Sequence, residues 1–494
     1  MAASHSSRSS IGAPRAAVAT MLSAAALLAG CSVGPAYRGP PAMRDTAAGT
    51  FVRAGVATGA AVTAAEPMAR WWRTLGDQQL DHLVTLAVAG SPGVQEAQAK
   101  LRSARALLAQ QTAGLFPTTG LSGAYLRTRN LSSLLGGGSG GNAGNGGGTN
   151  LYAVGLDASW EADIFGVQRR AIEGARAAAE GSEASLADVR VSLSAEVAQA
   201  YVGLRDAQQR LALTQRDLQV ESRLVDLYDI RRKAGTASDL DVERIVNQVD
   251  TTRATLGPLR AEVEVQLDRL SVLTGQPPGA LDAELTRAAP AALPVPPAQV
   301  PIGDPAAMLR RRPDIVVAER RLAQQSAAIG QAVAAQFPQV RLLGEVGYAS
   351  LSPGTLFNPN NFSYIVAPIL QWTPWDFGRN RARIAQARAG RDEAEAEYRQ
   401  AVLTALEDAE SSLARYGEAR NTVADLGRAR DSAERVYTMT QIRLRGGTAD
   451  TTDVLDADTR RIQAELSYEQ GLAQLTQSYV TLQKSLGLGW VTGG

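Results

Sequence analysis

Two short stretches, "AGTASDLDVERI" from Ala234 and "GGTADTTDVLDA" from Gly446, are versions of one phrase. Gly235, Thr236, Ala237, Asp241 and Val242 recur as Gly447, Thr448, Ala449, Asp453 and Val454, each 212 positions later. The same offset carries Trp160, Phe165, Gly166, Arg169 and Ile172 onto Trp372, Phe377, Gly378, Arg381 and Ile384, and Gly275 onto Gly487. Upstream the offset becomes 221, and Pro92, Leu101, Phe116 and Pro117 match Pro313, Leu322, Phe337 and Pro338. The nine-residue difference falls between Pro117 and Trp160, where the first copy carries "GGGSGGNAGNGGG", residues 136–148. Such a composition makes a flexible surface loop of one copy, not a linker between domains. An internal repeat constrains the fold more than any composition, because the two copies must be packed as neighbours of one kind. The predicted organisation is residues 1–30 as a signal, 31–75 as an extended N-terminal segment, 76–285 as the first copy and 286–494 as the second.

Each copy reads as helix, strand pair, long helix, turn, long helix. In the second copy Phe362, Tyr364, Val366, Pro368, Leu370 and Trp372 alternate with smaller or more polar neighbours, as do Val340, Leu342, Val346 and Tyr348. Tyr152, Val154, Leu156, Ala158 and Trp160 do the same in the first, and "GLSGAYLRT" from Gly120 more weakly. Segments of about ten residues with one apolar face and aromatic ends suit a transmembrane β-strand, though an amphipathic hairpin on a soluble core has the same period. Pro368 removes a ladder donor and predicts a bulge or an edge. Val197, Leu204, Leu211, Leu218 and Val225 recur every seven residues, with Leu193, Ala200, Ala207 and Thr214 as a second seam. Val242, Val249, Leu256, Val263 and Leu270 repeat the heptad on the return helix, a coiled-coil pattern. A helix from about Arg169 to Ala234 would be on the order of 100 Å long. Gly257-Pro258 should bend the return helix.

The N-terminus specifies an exported chain. Arg8 and Arg15 precede an Ala/Leu-rich run from Ala16 to Ala29, too short to span a bilayer. It ends in Leu28-Ala29-Gly30-Cys31, which resembles a bacterial lipobox and makes Cys31, the single cysteine, the acylated first residue. One cysteine leaves no internal disulfide. Without residues 1–30 the formal charge moves from +1 to −1, and nothing in that balance points to a nucleic-acid partner. No later apolar run reaches the roughly eighteen residues a membrane helix needs, so any crossing is by strands. Two histidines, His5 and His82, give no metal site and no catalytic constellation; His82 reads as a surface residue. No cofactor is expected beyond the lipid on Cys31, and no enzyme.

Four strands cannot close a membrane barrel, since the smallest use about eight and an open edge in lipid leaves backbone groups unpaired. The chain must associate. Two copies give eight strands and three give twelve, and the pattern alone leaves both open.

"CSVGPAYRGP", "WWRTLGDQQLDHL" from Trp71, "LRRRPDIVVAERRLA" from Leu309, "FPQVRLLGEVG" from Phe337, "WTPWDFGRNRA" from Trp372 and "SLGLGW" near the end resemble, in order, the outer-membrane factor family. Within it the match is to the NodT/OprM-type lipoproteins of tripartite efflux pumps, relatives of TolC. "WTPWDFG" and the long Gly-rich loop depart from the family pattern. The resemblance implies an α+β membrane protein: a trimeric twelve-stranded β-barrel, four strands per chain, continuous with a long α-helical coiled-coil barrel. It implies a Gram-negative outer-membrane channel, with N-palmitoyl and S-diacylglycerol groups on Cys31. The implied partners are two further copies, a periplasmic adaptor and an inner-membrane RND-type pump, and the implied substrates are drugs, dyes and detergents. A protein-export conduit of the type I secretion kind is the nearest alternative. A lipid-anchored scaffold without a pore explains the heptads but not the paired strands.

The two phrases fall where the long helices reverse. Glycine suits a helix end, and Thr or Asp beyond it caps the returning helix. That reading covers Gly235 and Gly447 but leaves Asp453 and Asp456, three apart on one face. Three copies turn each aspartate into a ring that attracts cations. The resemblance implies a periplasmic entrance lined by Asp453 and Asp456, with Asp241 as the first-copy counterpart, and adaptor contacts at Gly235, Thr236, Gly446, Gly447 and Thr448. Leu444 and Ala449 stand where a relative has a locking tyrosine and its arginine, so a constriction at Leu444 or Leu455 is expected instead. In "RRRPDIVVAE", Pro313 and Asp314 start a helix and the arginines belong to the preceding helix end, rather than to a basic binding patch.

Overall fold

The computed structural model describes residues 33–41, 49–55, 62–63, 68–128, 149–286 and 292–490. Cys31 and the Gly-rich stretch 136–148 lie outside them. Two compact units are present: Met1–Pro40 with Ser103–Glu180 and Arg320–Ala396, and Pro41–Arg102 with Gly181–Glu319 and Glu397–Gly494.

The first unit holds a four-stranded antiparallel sheet of β2 (Thr118–Thr128), β3 (Thr149–Ala162), β5 (Gln339–Ser350) and β6 (Phe362–Gln371), in that order. β1 (Val62–Thr63) and β4 (Val300–Pro301) form a separate two-residue parallel pair. The segments read as strands are the strands of the sheet, but exposure does not follow a one-sided alternation: Leu121, Leu156, Tyr364, Val366 and Leu370 are more than half exposed, and so is Ile365 on the other face of β6. The β5–β6 register runs without interruption from Gln339 opposite Gln371 to Tyr348 opposite Phe362. Pro368 therefore sits in regular pairing opposite Leu342, with no bulge, and of the two expectations the edge is the one realised. Gly155 and Gly347 face each other where β3 meets β5; a Cβ on Gly347 would lie 2.4 Å from the Val154 carbonyl oxygen, so β5 needs glycine there, while a Cβ on Gly155 would be tight at 3.1 Å from the Val346 carbonyl oxygen.

The helices are α1 (Gln78–Gly90), α2 (Pro92–Ala113), α3 (Val167–Lys233), α4 (Asp239–Leu273), α5 (Asp282–Leu285), α6 (Pro305–Arg311), α7 (Pro313–Ala334), α8 (Arg379–Arg445) and α9 (Thr451–Ser485). α3 and α8 each have 67 residues, and α4 and α9 each have 35. At 1.5 Å per residue α3 and α8 are each about 100 Å long. α4 continues through Pro258, which gives up one backbone donor inside the helix.

In the second unit the heptad seams are mostly buried, with Val197 and Leu204 fully so, while Leu211, Leu218 and Val225 of α3 and Val242 of α4 are only half-buried. Leu193, Ala200, Ala207 and Thr214 of α3 and Val249, Leu256, Val263 and Leu270 of α4 are all less than a tenth exposed. Small residues in the α3 seam let the backbones approach. The seams merge with a core around Trp71, which meets Trp72 and Tyr479 edge to face. Tyr479 shares a 2.7 Å hydrogen bond with Thr74, and the Tyr201 hydroxyl donates to Asp77 at 2.7 Å. Burial pushes both phenols up to about 12, so they remain neutral donors. Asp77 also caps α1, so one carboxylate ties the start of that helix to α3. His82 is exposed on α1.

The run of three arginines is structural. Arg310 and Arg311 close α6, and buried Arg312 joins it to α7. The Arg312 guanidinium donates to the Ser485 carbonyl at 2.7 Å and pairs with Asp314 at 2.7 Å and Asp408 at 3.3 Å.

Candidate functional site: the two helix reversals

α3 ends in Arg231, Arg232 and Lys233, whose positive charge opposes the carbonyl end of the helix dipole. Gly235 follows with φ +76°, a conformation costly for a residue with a Cβ. The Gly235 amide donates to the Arg232 carbonyl at 2.9 Å and the Thr236 amide to the Arg231 carbonyl at 2.8 Å, the paired bonds of a Schellman turn. The second reversal repeats it: Gly447 has φ +71°, its amide donates to the Leu444 carbonyl at 3.0 Å, and the Thr448 amide donates to the Arg443 carbonyl at 2.9 Å. Thr236 and Thr448 add their hydroxyls to the same carbonyls. Gly446 continues the α8 ladder, donating to the Ile442 carbonyl.

Both returning helices begin with reciprocal capping boxes. Ser238 accepts from the Asp241 amide while the Asp241 carboxylate accepts from the Ser238 amide. Asp450 and Asp453 do the same for α9. Capping thus accounts for Asp453 as well as for the glycines, which differs from the sequence expectation that left it outside the cap. The recognised box has Glu or Gln at the third helical position, and here a shorter aspartate fills it in both copies. Asp241 and Asp450 are held below the ordinary carboxylate range by the hydrogen bonds they accept, from Ser238 and Thr452 first.

Asp456, one turn along α9, has no such bond. Desolvation by surrounding protein raises its pKa, and the charges of Asp453 and Asp450 push the same way against Arg460. In the first copy the corresponding position is Arg244, which lies 3.9 Å from Asp241. The acidic pair is therefore a property of the second reversal alone. Leu455 is half-buried beside Asp456, and Leu444 is 36% exposed. Ile230 and Ile442, matching residues just before the two turns, are 63% and 60% exposed.

The structure brings the two reversals together through a residue the sequence did not single out. Arg231 lies 3.0 Å from the Asp450 carboxylate and donates to the Thr452 hydroxyl at 3.0 Å. Its counterpart Arg443 donates instead to the carbonyl of its own Thr448, at 3.0 Å. A last-turn arginine is what any helix end favours, so Arg231 carried no signal beyond its match to Arg443.

The family model for "Outer membrane efflux protein" matches residues 83–276 and 305–488. The chain belongs to the outer membrane efflux protein family. The two matched segments contain both strand pairs and both helix reversals. Outer membrane protein OprJ of Pseudomonas aeruginosa is 29% identical over 475 residues, covering 94% of each chain. Nodulation protein T of Rhizobium leguminosarum bv. trifolii is 28% identical over 482 residues, covering 94% of this chain and 96% of its own. Among solved structures the outer-membrane channel OprN is 33% identical with a TM-score of 0.81, over 92% of this chain and 99% of that one. The Campylobacter jejuni CmeC channel, at 20% identity and a TM-score of 0.80, shares the fold. The family is one of efflux channels and not of enzymes, and it places the protein in the Gram-negative outer membrane.

Proposed function

We propose that three copies of this efflux protein assemble into one conduit, the outer-membrane component of a tripartite pump working with a periplasmic adaptor and an inner-membrane RND-type pump. The observation that carries the reading is the sheet: four strands, two free edges and apolar side chains exposed along it. Three such sheets supply twelve strands, enough for an open lumen. The paired 67- and 35-residue helices, read as an internal duplication of residues 76–285 in 286–494, then supply a quasi-sixfold tube of coiled coils. Cys31 carries the N-palmitoyl and S-diacylglycerol anchor. Relatives are named for efflux of antibiotics, solvents and toluene, and one for pyoverdine export. The substrates proposed here are toxic small molecules of that range.

The helix reversals form the periplasmic end. Gly235, Thr236, Gly446, Gly447 and Thr448 offer backbone-built tips to the adaptor. Asp456, with Asp453 behind it and Asp241 at the corresponding cap, makes the acidic entrance, and Leu444 and Leu455 its apolar constriction. The closed state is held by Arg231 bound to Asp450 and Thr452, the role for which Leu444 and Ala449 offer no chemistry. The test is ion conductance in planar bilayers combined with drug susceptibility of a strain carrying only this channel. Cation-selective conductance from a heat-modifiable oligomer, and loss of resistance on deletion, are expected. A non-conducting protein that leaves resistance unchanged overturns the proposal.

A further inference from the structure

The two halves of the sheet are joined by an aromatic stack. Phe165, between β3 and α3, lies on Phe337 just before β5, with ring centroids 4.7 Å apart and planes 17° from parallel. By the sequence offsets Phe165 corresponds to Phe377, and Phe337 to Phe116. Neither counterpart is covered: Phe116 is 66% exposed and Phe377 completely so. Phe377 is also the one non-glycine residue among those described with a positive φ, 54°, a conformation in which a bulky side chain is strained. Phe165, in its stack, has no such strain. The neighbouring indoles keep one anchorage in both copies, since Trp160 donates to the Leu115 carbonyl at 2.9 Å and Trp372 to the matching Gln336 carbonyl at 3.1 Å. Each half thus offers both members of the stack, and one chain makes only one of the two contacts.

We propose that Phe377 of one copy stacks on Phe116 of the next, repeating between chains the Phe165–Phe337 contact made within each. The inference rests on the oligomer reading above and names the contact that closes it. The pairing joins different surfaces of the two copies, so it propagates around a ring instead of ending at a dimer. It also sets the register between chains. Trp160 pairs with Leu342 and Ser159 with Leu343 inside the chain; the same relation places Trp372 opposite Leu121 of the neighbour and Gln371 opposite Ser122. Gln371, Leu121 and Ser122 lie on the two free edges, β6 and β2, with Trp372 just past the end of β6, and the backbone groups of these edges need partners in a hydrocarbon environment. In the ring Phe377 takes the ring position of Phe165 and with it an ordinary backbone conformation. Its strain belongs to the separate chain.

The full-length chain in outer membranes carries the test, with Phe116→Cys and Phe377→Cys introduced singly and together and treated with a short bis-maleimide. Covalent dimers and trimers from the double variant, with none from either single variant, are expected. A link formed only within one chain, or equal linking in a single variant, overturns the contact. The native mass of the extracted wild type is read in parallel. A monomeric wild type overturns the oligomer reading itself, whereas an intact oligomer without the 116–377 link overturns only the contact. Should the cysteine variants fail to assemble, Phe116→Leu, Phe377→Leu and the double substitution are compared by the melting temperature of the oligomer. The double variant should melt no lower than the worse single variant, as Phe165→Leu and Phe337→Leu should behave together, and additive losses count against the stack.

Discussion

Arg231 at the end of α3 and Asp450 at the start of α9 are 3.0 Å apart, and the same Asp450 carboxylate caps α9. One side chain therefore both begins a helix and ties two hairpins together. Arg231→Ala should raise single-channel conductance and shift the closed-to-open ratio roughly 1.4- to 5-fold, the range of about 0.2–1 kcal/mol expected for a half-exposed pair. Asp450→Asn separates the two roles, because Asn caps a helix as well as Asp but carries no charge. It should open the channel as Arg231→Ala does and leave oligomer stability unchanged. Wild-type conductance in both variants would remove Arg231 from the gate.

Asp456 is exposed at the surface, yet it titrates above an ordinary aspartate, because partial desolvation and the charges of Asp453 and Asp450 favour its neutral form against Arg460. Divalent-cation block of the conductance should therefore weaken on acidification sooner than ordinary carboxylates would allow. Asp456→Ala should weaken the block at neutral pH and flatten that pH dependence. Recordings in which block and its pH profile match the wild type contradict the acidic entrance.

Gly447 has open space where a Cβ would stand, and its demand for glycine comes only from φ +71°. Gly447→Ala should cost about 1 kcal/mol of local stability and preserve resistance. Gly447→Trp adds bulk to the proposed adaptor surface, and should abolish resistance while the proposed trimer remains intact on gels. Efflux at the wild-type level in that variant rules out docking there.

Asp217 and Glu221 are almost fully buried one turn apart on α3. Gln463 and Thr459 of α9 and Gln248 of α4 surround them, with Asp458 as a further negative charge. One oxygen of each carboxylate has no hydrogen-bond partner. Burial, then Glu221, pushes Asp217 up to about 6. A carboxylate whose pKa is raised by folding stabilises the fold below its unfolded value, and that contribution is lost as pH rises through the folded value. Stability should thus decline between about pH 4 and pH 6. Asp217→Asn should remove this decline and gain on the order of 2 kcal/mol at pH 8, since one pKa unit is about 1.4 kcal/mol. Thermal unfolding across that range is the measurement, and an Asn variant no more stable than wild type at pH 8 refutes it.

Periodic features were legible before the structure. The heptads from Val197, Leu193 and Val242 fall on long helices and the segments ending near Trp160 and Trp372 fall on strands, because each rests on a backbone repeat. Single contacts were not. The pairing of Val62–Thr63 with Val300–Pro301 is too short to show a period. Arg231 looks like any last-turn arginine until the structure sets Asp450 beside it. Arg312 looked like one of three equivalent charges, and only burial against Ser485 and Asp408 distinguishes it. Asp453 was misplaced for a different reason: the capping box it completes uses aspartate where the familiar pattern has a longer side chain.

The order of strands also governs when the sheet can form. β2 with β3 and β5 with β6 pair as sequence neighbours, whereas β3 meets β5 only when Tyr152 finds Ser350 across about 200 residues, a separation that makes folding slow. During synthesis and export the hairpin of β2 and β3 waits with its inner edge bare until the second half of the chain has crossed the inner membrane. A nascent chain stopped short of Gln339 leaves that inner edge of β3 unpaired, the condition in which strand edges aggregate.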